Sequence, residues 1–83
     1  MYSHIIKKPA KKFIDRLPKS EQIRIVAAIE KLPDAGDIKT MKGYENLFRL
    51  RVGSYRILYS LDNGNLVVYV IDADNRGDIY KRY

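Results

Sequence analysis

The 83-residue chain has no cysteine, no tryptophan and one histidine, His4. Without cysteine it can form no disulfide, iron–sulfur cluster or thiolate zinc site, and it has no sulfur nucleophile. A single imidazole excludes, within one chain, acid–base chemistry built on two histidines and a multi-histidine metal site. Long hydrophobic runs are missing too. The longest, Leu66 to Ile71, falls far short of the ~20 residues that a membrane helix needs. The first residues, Met1-Tyr2-Ser3-His4-Ile5-Ile6-Lys7-Lys8, lack the apolar stretch of a signal peptide. Acidic residues are scarce: 10 Asp and Glu stand against 16 Lys and Arg, a net charge of +6. What is present is a 46% apolar composition, enough for one compact core. The reading is one domain over residues 1–83, cytoplasmic, without membrane contact, whose field attracts phosphate polyanions or acidic proteins.

The order of residues predicts an α+β fold. Ser3 to Ile6 reads as a strand, stopped by Pro9, which is well placed to open a helix. Ala10, Phe13, Ile14 and Leu17 fall at i, i+3, i+4 and i+7, predicting an amphipathic helix from Pro9 to Leu17. Pro18 interrupts it. A second helix follows from about Ser20 to Leu32, its stripe made by Ile25, Ile29 and Leu32 with Ile23 and Val26, and Pro33-Asp34-Ala35-Gly36 ends it. The short link makes the two helices an antiparallel hairpin. Asp37 to Gly43 reads as a polar connector. The period then changes to two: Phe48, Leu50 and Val52 share one face, Arg49 and Arg51 the other. Gly53-Ser54 is a turn, Tyr55 to Ser60 a strand, Asp62-Asn63-Gly64 a tight hairpin signal, and Leu66 to Ile71 a strand apolar on both faces. Asp72 to Asp78 is polar, and Ile79 to Tyr83 is one helical turn at most. The sum is an N-terminal strand, a two-helix hairpin and a three-stranded antiparallel meander, with the helices on one face of a twisted sheet. The other face is expected to be partly open and cationic.

On that open face Arg49 and Arg56 lie on consecutive strands. They present either two guanidinium forks to one phosphate or ordinary solvated charges. Arg76 and Tyr80, four apart, share a side if that segment is helical. Tyr80 either stacks and handles a proton or packs the chain end. Lys39 and Lys42 either neutralise phosphate or solubilise a loop. Tyr44, Tyr55, Tyr59 and Tyr69 read as packing residues and His4 as structural. Asp72, Asp74 and Asp78 lack calcium-loop spacing and read as turn and cap residues.

The run Leu47-Phe48-Arg49-Leu50-Arg51-Val52-Gly53-Ser54-Tyr55-Arg56-Ile57-Leu58-Tyr59 resembles the signature of the RelE/ParE superfamily of toxins from type II toxin–antitoxin pairs. Lys42-Gly43 before it, Asn75-Arg76-Gly77-Asp78-Ile79-Tyr80 after it and the element order fit the same pattern. The resemblance covers nearly the whole chain and is nearer the RelE branch, whose members cut messenger RNA in the ribosomal A site. The ParE branch poisons DNA gyrase. The resemblance implies that Arg49, Arg56, Arg76 and Tyr80 carry catalysis or RNA phosphate binding, and Lys39, Lys42, Arg51 and Lys81 are further candidate contacts to RNA phosphate. It also implies a RelB-like antitoxin, acidic and partly disordered, with operator DNA bound only through the toxin–antitoxin complex. Leu47, Asp74 and Asn75 depart from the pattern, standing where relatives carry two basic residues and a histidine.

Such a site would cut RNA without an imidazole pair. RNA supplies its own nucleophile, the 2′-OH, which must lose a proton while the phosphorane is stabilised and the 5′-oxygen is protonated. Tyr80 is the candidate base or stacking residue, because clustered arginines lower a phenol from its usual pKa of about 10. Arg49 and Arg56 would stabilise the phosphorane, and Arg76 would bind phosphate or act as acid. The arginines supply the positive charge, so this chemistry calls for no metal or other cofactor. Poorly matched proton donors make the ribosome the expected source of in-line geometry. Two other readings remain open at this point: a ParE-like gyrase inhibitor, and a catalytically weak RNA-binding relative.

Overall fold

A computed structural model describes residues 1–75. Five strands, β1 (Ser3–Ile6), β2 (Asp37–Thr40), β3 (Phe48–Val52), β4 (Tyr55–Asp62) and β5 (Val67–Asn75), form one sheet in the order β1-β5-β4-β3-β2. Helices α1 (Lys8–Asp15) and α2 (Lys19–Glu30) follow β1 in the chain. Strands β2 to β5 pair antiparallel, and β1 alone runs parallel, to β5.

The period-two and period-3.6 stripes meet in one core. Ala10 and Ile14 from α1 and Ile25 and Ile29 from α2 pack on Leu50, Val52, Tyr55, Ile57, Tyr59, Val68, Val70 and Ala73. One aromatic pair ties the layers and one lies within the sheet: Phe13 of α1 meets Tyr55 edge-on at 5.9 Å, and Phe48 stacks on its cross-strand partner Tyr59 at 5.3 Å. The Tyr59 hydroxyl is buried, and desolvation pushes its pKa up to about 12. Desolvation and then the Glu21 carboxylate, 3.4 Å from its hydroxyl, also raise that of Tyr55. His4 is structural as expected: its Nε2 lies 2.9 Å from the Leu32 carbonyl, so that nitrogen carries the proton and donates it.

Helix α1 is poorly built for its own stability. It has no side-chain cap, no acidic residue in its first turn and no aliphatic residue outward. Lys8 to Lys12 and Lys12 to Arg16 are like-charge neighbours four apart, each pair opposing the helix by ~0.2–0.5 kcal/mol. Pro9 and the burial of Ala10 and Ile14 on the sheet hold it in place.

Four sequence expectations change. Asp37 to Thr40, read as connector, is the edge strand β2, so the antiparallel part has four strands. Only Ile38 of this strand is half-buried, and its polar composition is what an edge tolerates. Strand β5 runs on through Asp72 to Asn75 because a bulge resets its phase. Leu58 pairs with Asp72 and Tyr59 with Val70, leaving Ile71 extra, so that Val70 and Ala73 both reach the core. Asn63-Gly64 does not close a two-residue hairpin. The connection spans residues 63–66, with Leu66 taking the positive φ of 55° and the Asp62 carboxylate accepting from the Asn65 backbone and side chain. Tyr44 is exposed and lies outside the buried core. Gly53-Ser54 does close a two-residue hairpin, with the left-handed residue, Gly53 at φ 59°, in first position.

Candidate functional site

The face of the sheet away from the helices is organised by register. Cross-strand partners in an antiparallel pair project to the same side. Two transverse rows follow across β2, β3, β4 and β5. One is Lys39, Arg49, Leu58 and Asp72; its neighbour is Asp37, Arg51, Arg56 and Asp74. Arg49 and Arg56 are diagonal neighbours, and Arg51 stands directly opposite Arg56. Like charges in direct opposition weaken a strand pair, so the sheet does not gain from this placement.

A cavity of 510 Å³ opens here, lined by Lys39, Thr40, Met41, Lys42, Arg49 and Arg56. Met41 is the apolar member of the lining, and it packs on a small cluster in which Leu58 is fully buried beside Leu47 and Ile71. Arg49 lies deep, its side chain only 13% exposed. Its Nη2 donates to the Asp37 carboxylate at 3.0 Å. Its Nε is buried and finds no acceptor among the described residues. Arg56 is half-buried and spends one donor on a long 3.4 Å contact with the Tyr55 carbonyl. Arg51 is exposed and reaches the Gly53 carbonyl at 3.5 Å, a marginal bond. Asp72 is buried, and its Oδ1 accepts from the Ala73 backbone. No cluster of three or more metal-ligating side chains occurs among the described residues.

The structure thus brings Lys39, Lys42, Arg49 and Arg56 into one cavity and sets Arg51 at its margin. Arg76, Tyr80 and Lys81 lie outside the described residues. Sequence reasoning missed Asp37, Asp72 and Asp74 as members of this face. Asp37 and Lys39 alternate in step with Arg49 and Arg51, but that parity acquires meaning only once β2 is paired. Chemically, the cavity offers guanidinium and ammonium donors around Thr40 and Met41. That is a receptor for an anion with several acceptor oxygens.

Comparison with known proteins gives the chain a lineage. Residues 4–80 match the family described as the ParE toxin of the type II toxin–antitoxin system, parDE. The chain belongs to that toxin family. Solved structures place it within the wider RelE/ParE superfamily. The toxin fold resembles the archaeal RelB–RelE antitoxin–toxin complex from Methanococcus jannaschii, at 28% identity and a TM-score of 0.75, covering 95% of this chain and 98% of that one. It likewise resembles the RelE–RelB complex from Pyrococcus horikoshii, at 25% identity and a TM-score of 0.74, covering 93% and 97%. Toxin RelG of Mycobacterium tuberculosis is 43% identical over 35 residues, a stretch spanning 42% of this chain and 40% of that relative's length. Two helices on a five-stranded mixed sheet are therefore the RelE toxin fold, as the sequence led us to expect.

Proposed function

We propose that this toxin is a ribosome-dependent endonuclease that cuts messenger RNA through attack by the RNA's own 2′-OH. The observation that carries the reading is the convergence of Arg49 and Arg56, with Lys39 and Lys42, on one cavity. A developing dianionic phosphorane is the species such a cavity favours most, because positive charge already fixed in place needs no reorganisation as the reaction proceeds. Arg49 and Arg56 stabilise the phosphorane. Arg51, Lys39, Lys42 and Lys81 hold flanking phosphates. Arg76 binds phosphate or protonates the leaving oxygen, and Tyr80 is the base or stacks on a base. The ribosome supplies alignment. Between bouts of activity a RelB-like antitoxin covers the site, in line with the RelB–RelE assembly of the archaeal relatives.

A second reading, inhibition of DNA gyrase, is favoured by the family match itself, which is to ParE toxins. Primer extension on a messenger RNA with translating ribosomes separates the two. Cuts in phase with codons, seen only with ribosomes and lost in Arg56→Ala and Tyr80→Phe, are expected. Absence of cuts, together with gyrase-dependent DNA breakage that survives Tyr80→Phe, would establish the second reading instead.

A further inference from the structure

The cavity uses the open face of the sheet, yet most of the net charge lies elsewhere. The first 19 residues hold six cations, Lys7, Lys8, Lys11, Lys12, Arg16 and Lys19, against one carboxylate, Asp15; the remainder holds ten against nine. The excess is therefore concentrated on and beside α1, which covers the sheet face opposite the cavity. Lys11 is ion-paired with Asp15 at 3.1 Å, and the Lys7 ammonium sits over the Tyr69 ring at 5.2 Å. Lys8, Lys12 and Arg16 are exposed, and no carboxylate among the described residues pairs with them. They recur every fourth residue, a row about 12 Å long. Helix formation asks for the opposite arrangement, since like charges four apart repel and a lysine opposes the dipole at a helix start.

We propose that the Lys8–Lys12–Arg16 row is a second, non-catalytic anion-binding surface that docks the domain onto the phosphate backbone of a folded RNA. The inference deepens and rests on the RNA-directed reading above: one face grips structured RNA while the other takes the strand to be cut. A phosphate backbone is favoured over an acidic protein because protein interfaces are anchored by buried apolar side chains. The large exposed apolar residues are Met1, Ile5, Ile23, Tyr44 and Leu66, none of them on α1. Evenly spaced point charges without apolar anchors match a repeating anion.

The test titrates the full chain against a fluorescent RNA hairpin over a salt series, read by anisotropy. The triple variant K8Q/K12Q/R16Q is expected to bind at least about tenfold more weakly and to flatten the slope of log affinity against log salt by about 2–3. K8R/K12R/R16K is expected to keep both. An unchanged slope in the Gln variant, or a loss confined to a polyglutamate peptide, would overturn the proposal. Thermal melting checks the fold; should the triple variant melt early, Lys12→Gln alone, with an expected slope change of about 1, decides. Ribosome-dependent cleavage is scored separately. Wild-type protein that never cuts while α1 still sets the hairpin slope removes the endonuclease reading and leaves the docking surface standing. Cleavage with a slope indifferent to α1 does the reverse.

Discussion

Arg49 is the residue at which stability and the proposed activity are expected to pull apart. Its bridge to Asp37, exposed at the carboxylate end, is worth ~0–1 kcal/mol, whereas a buried donor without an acceptor costs about 1–3 kcal/mol. Arg49→Met fills the same volume without that donor. It is expected to leave unfolding free energy unchanged or higher by about 1 kcal/mol while cleavage falls by at least ~10²-fold. Urea unfolding beside primer extension measures both, and a clear loss of stability would contradict the account of Nε. Tyr59 gives a second residue-scale expectation. Its folded pKa, about 12, lies above that of a free phenol, so the native state holds the proton more tightly. Its contribution is fully present below pH ~10 and is lost as pH rises from there through about 12. Urea midpoints at pH 9 and 11.5 are expected to diverge for the native chain and to do so less for Tyr59→Phe. The arginines themselves were legible in the sequence, because alternation with Phe48, Leu50 and Val52 fixed their face. Asp37 was not, because its meaning depends on a strand partner twelve or more residues away.

At the scale of elements, both helices and the strands β1, β3 and β4 could be read from apolar periodicity, since each buries a regular stripe. Strand β2 could not: an edge strand carrying Asp37, Lys39 and Thr40 has only Ile38 to show. The end of β5 was hidden by its bulge, which breaks the alternation at Ile71 and makes Asp72 and Asp74 look like loop. Gly36 controls how β2 enters the sheet. It adopts φ 132°, and a Cβ there would lie 2.7 Å from Leu50 Cδ1. Gly36→Ala is expected to lower stability by about 1–3 kcal/mol and to reduce amide protection in residues 37–40 ahead of the core. Because β2 carries Asp37 and Lys39, the same variant should also weaken cleavage. Hydrogen exchange distinguishes this local loosening from global unfolding.

For the whole molecule, composition announced a polyanion partner but not where the charge gathers. The crowding of cations around α1 means that the isolated domain strains against its own field. Raising salt from about 20 to 500 mM shortens the screening length severalfold and is expected to raise the melting temperature by about 2–4 °C. K8Q/K12Q/R16Q should remove most of that rise, and a salt-independent melt in the native chain would show that the repulsion is already relieved.

The parallel pairing of β1 with β5 carries a consequence in time. Ser3 to Ile6 lie against Val67 to Val70, 64 positions later, and among the described residues β1 has no other strand neighbour. During synthesis the first strand must wait, unpaired, until almost all the described chain has been made. A nascent chain arrested before residue 67 has the helices and the Arg49–Arg56 hairpin but cannot close the sheet behind them. A toxin is thus kept from its finished shape until its fifth strand has been made.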